Sequence, residues 1–412
     1  MHRTDRTARA VRVSTLTGTA PALSAPLAAA LADAGPDRLV LDLGGIARAH
    51  ATLRRELPGV HVRFALKACP VDEVVGTLAR AGAGADAASP AEIEQALRAG
   101  VPADRVHYGN TVKSDRDIAA AHRLGVRTFA TDSLEDVAAL AAHAPGARVF
   151  CRVAAQGEGA VWGLSHKFGC APADAVRVLE HAREAGLVPS GLSVHVGSQQ
   201  MTAEAWRLAV DDLAGVLRAL RPRGITPDHV NLGGGLPAVG YLDRHGHPLD
   251  PPLDKIFAVL REGMDTLRRA HGGPLDFVVE PGRYLVADHG AVRAHVARLA
   301  RRREPGGADR YWLYLSCGKF NGLYEMDALQ YRLVFPGRTG GGPTVPAVVA
   351  GPTCDSDDAY SHEDGHVRVP ADLASGDPVW VLSSGAYALS YTTRGFNGFP
   401  PLPYTVTGGA DD

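Results

Sequence analysis

The chain has 412 residues, of which 45% are hydrophobic and 21% are charged. This composition is typical of a folded protein, and the length predicts two domains rather than one. The 43 basic and 45 acidic side chains give a formal net charge of -2, so no basic excess exists to bind nucleic acid or an anionic membrane. We therefore expect the partner to be a small molecule or a second copy of the chain.

The N-terminal segment resembles a secretory signal only loosely. Its Ala/Leu stretch at 20–32 is interrupted by Pro21, Ser24 and Pro26, which leaves no long apolar segment. No run of 18 apolar residues occurs in the sequence, so we expect no membrane span. The five cysteines contain no C-x-x-C pair, which disfavours a disulfide framework or a zinc site and favours the reducing cytoplasm.

From about residue 38, short β-rich runs alternate with runs of helical spacing. The predicted strands lie at 39–43, 60–66, 83–87, 105–108, 126–130, 148–153, 191–196, 229–232 and 277–279. The helices between them are marked by the capping residues Ser89, Ser114, Ser133 and Thr202 and by the stop residues Gly100, Gly125 and Gly186. Eight or nine β/α repeats predict an α/β fold with a parallel (β/α)8 TIM-like barrel. No G-x-G-x-x-G follows the first strand, which disfavours a dinucleotide-binding sheet.

After about residue 290 the pattern changes to strands separated by Gly/Pro-rich turns. These strands are predicted at 292–299, 311–315, 345–349, 379–382 and 404–407. We therefore expect a barrel domain at 36–290. We also expect a mostly-β domain, a β-barrel or sandwich, built from 291–412 and from 1–35, where residues 11–16 form another predicted strand.

Polar residues recur where the predicted barrel strands end. They are Lys67, Asp86, Asn110, Asp132, Arg152, His195, Ser198, Gly233–Gly235, Glu280 and Arg283. In a barrel of parallel strands these ends meet at one face, which is where such folds carry their active sites. A lysine at a rim can also be a surface lysine whose stem packs on the barrel. Because the other polar groups are expected at the same face, we favour a Schiff-base lysine at position 67.

Two motifs suggest how an anionic cofactor would be held. The glycine triplet after Val230-Asn-Leu is either a phosphate cradle or a plain turn. In Glu280-Pro-Gly-Arg283 the arginine could grip a phosphate and the glutamate could hold a protonated ring nitrogen. The alternative is a structural Arg–Glu pair. His195 stands without a second histidine or cysteine at ligand spacing, so we expect no metal.

The β domain contributes three further candidates. Cys354 followed by Asp355 in a loop is a plausible proton donor, or else an inert loop cysteine. Phe396, in Phe396-Asn-Gly-Phe399, could line a site or form a turn against a hydrophobic wall.

Taken in chain order, these motifs resemble the fold-type III pyridoxal-phosphate (PLP) decarboxylases, the group of ornithine, diaminopimelate and arginine decarboxylases. The resemblance is closest to the ornithine and lysine enzymes and runs from about residue 39 to 401. Its markers are Phe64-Ala-Leu-Lys-Ala68, Ala85-Asp-Ala-Ala-Ser89, Lys167-Phe-Gly169, His195-Val-Gly-Ser198, Gly233–Gly235, Glu280-Pro-Gly-Arg283, Gly351-Pro-Thr-Cys-Asp355, Gly385-Ala-Tyr387 and Phe396-Asn-Gly-Phe399.

The resemblance implies a role for each candidate. Lys67 holds the cofactor, His195 stacks on its ring and Glu280 pairs with its nitrogen. Cys354 is the proton donor, and Asp355 contacts the distal amine of the substrate. The remaining cofactor residues that it implies are Asp86, Arg152, Ser198, Gly234, Gly235, Gly282, Arg283 and Tyr387. In the family, Cys354 and Asp355 would enter the site from the partner of a homodimer.

The specificity segment is Gly318-Lys-Phe-Asn-Gly-Leu-Tyr-Glu-Met-Asp327. Diaminopimelate enzymes carry an arginine where this sequence has Glu325, so with Asp327 nearby we expect a basic substrate, L-ornithine or lysine, as in polyamine biosynthesis. The alternatives are a specialised amino-acid intermediate or diaminopimelate. Rival functions are an alanine-racemase-like enzyme, which would need a tyrosine base, and a regulatory PLP-binding homologue without activity, which should have lost cofactor residues.

Overall fold

We describe the fold from a computed structural model, in which residues 23–163, 167–304, 306–307, 309–338, 342–360 and 366–409 are described. The strand predicted at 11–16 lies outside the described residues. The strands are β1 (Arg38–Asp42), β2 (Val60–Ala65), β3 (Gly84–Ala87), β4 (Val106–Tyr108), β5 (Thr128–Thr131), β6 (Arg148–Arg152), β7 (Ala160–Trp162), β8 (Val188–Ser193), β9 (Ser198–Gln200), β10 (His229–Asn231), β11 (Asp276–Val279), β12 (Gly290–Arg303), β13 (Asp309–Leu315), β14 (Leu333–Val334), β15 (Thr344–Ala350), β16 (His366–Pro370), β17 (Pro378–Val381) and β18 (Tyr404–Thr407). The α-helices are α1 (Ala25–Asp33), α2 (Leu43–Glu56), α3 (Asp72–Arg80), α4 (Pro90–Arg98), α5 (Asp115–Arg123), α6 (Leu134–His143), α7 (Pro172–Glu184), α8 (Glu204–Leu220), α9 (Leu253–His271) and α10 (Arg283–Val286).

Eight parallel strands close into a barrel in the order β10-β11-β2-β3-β4-β5-β6-β8. This confirms the predicted (β/α)8 architecture. Because the strands are parallel, their C-terminal ends all meet at one mouth of the barrel. The short antiparallel pair β7–β9 is built from residues that follow β6 and β8, and it therefore stands beside this mouth.

The helix boundaries follow the predicted capping chemistry. The side chains of Ser89, Ser114 and Ser133 each accept a hydrogen bond from a backbone N–H in the first turn of α4, α5 and α6. Thr202 lies one residue further out, where its hydroxyl accepts from the N–H of Glu204. Gly186 ends α7 with φ of 81°, a left-handed conformation that costs glycine little.

Strand β1 differs from its predicted place in the barrel unit at 36–290. It pairs antiparallel with β12 and parallel with β18, in the second sheet. Its residues after Arg38 are buried on both faces, as in a barrel strand, so the hydrophobic pattern could not distinguish the two sheets. The barrel repeats accordingly begin at α2 and β2.

The second sheet has eight strands, with β14-β17-β12-β13-β15-β16 as its main path and β1 and β18 attached through β12. The long strand β12 follows the last barrel strand after α10, so the two sheets are joined directly behind Glu280 and Arg283. None of the described helices is long and apolar enough to cross a membrane.

Candidate active site

The mouth formed by the strand ends holds a recess, here called the C-terminal recess. It is lined by Ala65, Lys67, Asp86, His195, Ser198, Gly234, Gly235, Leu236, Glu280, Gly282, Arg283 and Tyr387. All the predicted cofactor residues except Arg152 are therefore neighbours around one space. The segments that follow barrel strands supply them, as the positional argument expected, except for Tyr387, which follows β17 of the second sheet.

Lys67 follows β2 in a single 3-10 turn (Leu66–Ala68), and its Nζ lies 3.8 Å from Oδ2 of Asp86. Half of its side-chain surface is open to solvent although the residue lies deep among protein atoms, because the amine faces the recess. Burial lowers the pKa of Lys67, but Asp86, Tyr387 and Glu280 outweigh it and the net pKa is raised. The lysine is thus charged and pointed into an open space.

Glu280 directly follows β11, and its carboxylate accepts a hydrogen bond from the side-chain amide of Asn231. Burial, reinforced by Asp86, raises the pKa of Glu280 to about 8, against the opposing effect of Asn231 and Lys67. Such a carboxyl is favourable as an anion only when a cation joins it. Asn231 also accepts the N–H of Gly233 at 2.9 Å, so one residue links the acid to the glycine triplet.

His195 presents a neutral imidazole to the recess. Burial, followed by the charges of Arg152 and Lys67, lowers its pKa to about 3. Its Nδ1 accepts the N–H of Gly197 at 3.0 Å, which fixes the orientation of the ring. The ring can therefore act as a flat, uncharged surface, while a role as a base at neutral pH is disfavoured.

The glycine triplet allows the backbone to approach the recess closely. Gly233 and Gly235 have φ of 73° and 101°, values that residues with a Cβ rarely adopt. A Cβ on Gly233 would lie 1.9 Å from the carbonyl oxygen of Val194, and one on Gly235 would lie 2.5 Å from that of Gly197. Only glycine fits this turn.

Arg283 begins α10 and is almost completely buried. Its two terminal nitrogens each donate to Glu325 at 2.6 Å, and Nη2 also donates to Oγ of Ser198 at 3.2 Å. The guanidinium carbon lies 4.4 Å from the ring centre of Trp162 and 4.8 Å from that of Tyr387. This arrangement holds a cation rigidly at the edge of the recess.

The predicted substrate residues are placed differently from the cofactor residues. Glu325 is buried, and both its oxygens are already used by Arg283, so it is not free to meet a cation as the sequence suggested. The structural Arg–Glu pair weighed for Arg283 thus exists, with Glu325 and not Glu280 as its acid. Asp327 is more than half exposed and pairs with Lys319 at 3.1 Å.

Cys354, Asp355 and Phe396 do not line the C-terminal recess of their own chain. Cys354 is exposed, and its backbone N–H donates to Oδ1 of Asn397. The ring of Phe396 lies 4.6 Å from that of Phe320. Arg152, although outside the lining, acts on the recess through its charge and lies 5.0 Å from the ring of Phe168.

Three residues of the site were missed by the sequence. Asn231 stands directly before the glycine triplet, and an amide inside a barrel strand is a pattern that could have marked it. No sequence pattern indicated Tyr241 or Trp162. The hydroxyl of Tyr241 lies 3.1 Å from Nη1 of Arg283, and Trp162 of β7 lies beside the same guanidinium. Both come from loops whose approach to Arg283 depends on the fold.

The residues present fit PLP. Nε of Arg283 is buried without a hydrogen-bond partner beside Ser198 and Gly235, which suits a phosphate oxygen. Lys67 offers the amine, and Glu280 offers a carboxyl that requires a cation, as a protonated pyridine nitrogen would be.

Comparisons with known proteins agree with this geometry. Residues 43–287 match the family model described as pyridoxal-dependent decarboxylase, pyridoxal binding domain. The lysine/ornithine decarboxylase of Selenomonas ruminantium is 30% identical over 89% of this chain and 88% of its own. Antizyme inhibitor 2 of Xenopus laevis is 28% identical over 88% of this chain and 79% of its own.

A solved structure is similar over nearly the whole length. The lysine/ornithine decarboxylase of Vibrio vulnificus complexed with putrescine has a TM-score of 0.78 and 30% identity, over 92% of this chain and 96% of that one. The similarity therefore spans both the barrel and the second sheet.

Proposed function

Because the chain belongs to the pyridoxal-dependent decarboxylase family and acts as a PLP-dependent decarboxylase of a basic amino acid, we propose that its substrate is L-ornithine or lysine. The observation that carries the proposal is the Arg283–Glu325 ion pair. Glu325 compensates Arg283, a buried cation that lines the recess, so a substrate with a distal carboxylate finds no unpaired guanidinium on that residue. The names of similar enzymes, lysine/ornithine decarboxylases, support the same choice.

Bound PLP supplies the electron sink that receives the pair left when the carboxylate departs as CO2. Lys67 is the amine that holds the cofactor, and Asp86 keeps that amine charged and aimed into the recess. Glu280, braced by Asn231, keeps a proton on the ring nitrogen. His195 covers the ring as a neutral plane.

A second group of lining residues would hold the phosphate of the cofactor. Ser198, the backbone at Gly234, Gly235 and Gly282, Arg283 and Tyr387 are the residues proposed for it. The free Nε of Arg283 and the close approach of the glycine backbone support this assignment. Arg152 contributes charge from just outside the lining.

A complete site requires two chains in this proposal. Cys354 would return the proton to the substrate's α-carbon, and Asp355 would accept a hydrogen bond from its distal ammonium, with Phe396 as a wall. Cys354 is exposed and outside the recess of its own chain, which supports delivery to a neighbour in a homodimer. The free cysteines support a reducing, cytoplasmic location.

A regulatory function without catalysis is the alternative, since an antizyme inhibitor is among the relatives. In this chain Lys67, Asp86, Glu280 and Arg283 are all present around the recess, which favours an active enzyme. The test is CO2 release by PLP-loaded protein from L-ornithine, L-lysine, meso-diaminopimelate and norleucine. The proposal expects rapid turnover of the first two, slow turnover of norleucine and none of diaminopimelate. Turnover of diaminopimelate alone would refute the substrate assignment, and no turnover of any amino acid would favour the regulatory function.

A further inference from the structure

The opposite end of the barrel carries a second cavity, here called the N-terminal cavity, with a volume of about 540 Å³. It is lined by His50, Arg54, Val60, His61, Val62, Arg63, Gly82, Gly84, Asp104, Arg105, His107, Thr128, Arg148, Asp228, His229, Asp276 and Val278. Most of these residues stand at the starts of barrel strands. The cavity therefore lies across the barrel from the C-terminal recess, and the proposed reaction does not use it.

Two buried histidines face this cavity without full hydrogen bonding. His107 is 3% exposed and His229 is 6% exposed, and their rings lie 5.6 Å apart. Nδ1 of His107 and Nε2 of His229 have no hydrogen-bond partner. Burial, followed by the charge of Arg63, lowers the pKa of His107 well below its usual range, so its ring is neutral. Buried polar atoms of this kind are normally satisfied, which points to a bound group.

Arg63 supplies to the same cavity a cation that forms no ion pair with any described residue. Nη1 donates to the carbonyl oxygen of Arg105 at 2.8 Å, while Nε is buried without a partner. Across the described part of the chain, no carboxylate lies within ion-pair distance of Arg63. Burial lowers its pKa to about 10, against the opposing charges of Glu280, Asp104 and Asp86, none of which forms an ion pair with it.

The arginines at the rim of the cavity differ in whether they are paired with a carboxylate. Arg54 and Arg105 form no ion pair with any described residue, whereas Arg148 is paired with Asp228. Asp228 is also bonded to His229, at 3.0 Å, so it is fully engaged. The other acids, Asp104 and Asp276, are exposed at the edge. The described lining thus carries four arginines against three aspartates, and because all three aspartates are exposed, its buried part presents guanidinium and imidazole groups.

We propose that the N-terminal cavity binds a small oxyanion, a phosphate or carboxylate group, on Arg63 and His107, beside His229. A guanidinium fork matches the geometry of such anions, and the neutral imidazole of His107 can donate its one N–H to them from Nδ1. The positive charges of Arg54 and Arg105 at the rim attract the anion to the cavity. The same anion chemistry could come from inorganic phosphate or from the carboxylate of a metabolite.

The experiment uses PLP-loaded protein, so that the cofactor's own phosphate site is filled. Inorganic phosphate and, separately, acetate are titrated at constant ionic strength against sodium chloride, and the unfolding midpoint and the binding heat are recorded. A specific site should raise the midpoint by roughly 1–3 °C near tenfold saturation. The arm that saturates identifies the oxyanion.

Substitutions test whether the saturable shift of the unfolding midpoint comes from the N-terminal cavity. Arg63→Met should abolish the saturable shift, and the exposed rim variant Arg105→Met, which carries little folding risk, should weaken binding severalfold. Arg98→Met, an exposed arginine at the end of α4, is the matched control and should bind like the wild type. The proposal is overturned if neither anion gives a saturable effect. It is equally overturned if the effect persists unchanged in both Arg63→Met and Arg105→Met.

Discussion

Glu325 engages both terminal nitrogens of Arg283, with Nη1–Oε2 and Nη2–Oε1 distances of 2.6 Å each. The arginine is 3% exposed and the glutamate 5%, so the pair is fully removed from water. A guanidinium that lines the C-terminal recess thereby keeps a fixed position and a compensated charge. Glu325 acts through Arg283 and not as a free receptor for the substrate.

Replacing Glu325 by glutamine should destabilise the protein. It leaves the Arg283 cation buried without its anion, and breaking such a pair costs about 3–5 kcal/mol of unfolding free energy. The matched control is Asp327→Asn, which removes an exposed partner of Lys319 and should cost less than about 1 kcal/mol. Urea unfolding of the two variants in the absence of cofactor measures the difference. Equal, small losses would mean that the Arg283–Glu325 pair contributes little.

We expect Asp355 to give the enzyme its preference for a substrate with a positively charged distal group. Loss of a charged hydrogen bond to the distal ammonium, worth about 1.5–3 kcal/mol, predicts that Asp355→Asn lowers kcat/KM for ornithine roughly 10- to 100-fold. Norleucine has no such group, so its slow turnover should hardly change. Asp357→Asn, an exposed neighbour in the same loop, is the control. A uniform decrease for both substrates would instead assign Asp355 a structural role.

Subunit mixing tests whether the site is shared. Lys67→Ala and Cys354→Ala should each be inactive as homodimers. After exchange, half the dimers are mixed and each has one intact site, so about one quarter of the wild-type activity should return. Exchange is verified independently with differently tagged chains. If exchange is complete and activity does not return, each site is built within one chain.

The raised pKa of Glu280 predicts that the stability of the cofactor-free protein depends on pH. Its folded pKa of about 8 lies above the ordinary value of a glutamate, so folding favours the protonated form. The stability it contributes is complete below the unfolded pKa and is lost as pH rises through the folded one, between about pH 4.5 and 8. Thermal unfolding across this window should show a decline that Glu280→Gln reduces. A decline of equal slope in the variant would place its origin elsewhere.

The barrel could be predicted because its strands and helices carry local patterns, including the serine caps and the glycine stops. The gathering of the candidate residues around one recess could be predicted, because parallel strands bring their C-terminal ends together whatever the conformation of the loops. Strand β1 was misplaced, because a doubly buried strand looks the same in either sheet. The ion-pair partner of Arg283 could not be predicted either, because Glu325 is 42 residues away in sequence. It is brought to Arg283 only by the connection between β13 and β14 of the second sheet.

The most direct test of the account is to find which lysine holds the cofactor. PLP-loaded protein is reduced with borohydride, digested and analysed by mass spectrometry. The other lysines, Lys113, Lys167, Lys255 and Lys319, serve as internal controls; Lys113 is buried and its Nζ donates to Asp136 at 2.9 Å. We predict cofactor on Lys67 alone, with loss of both label and CO2 release in Lys67→Ala. Label on another lysine, or full decarboxylase activity in Lys67→Ala, would contradict the account.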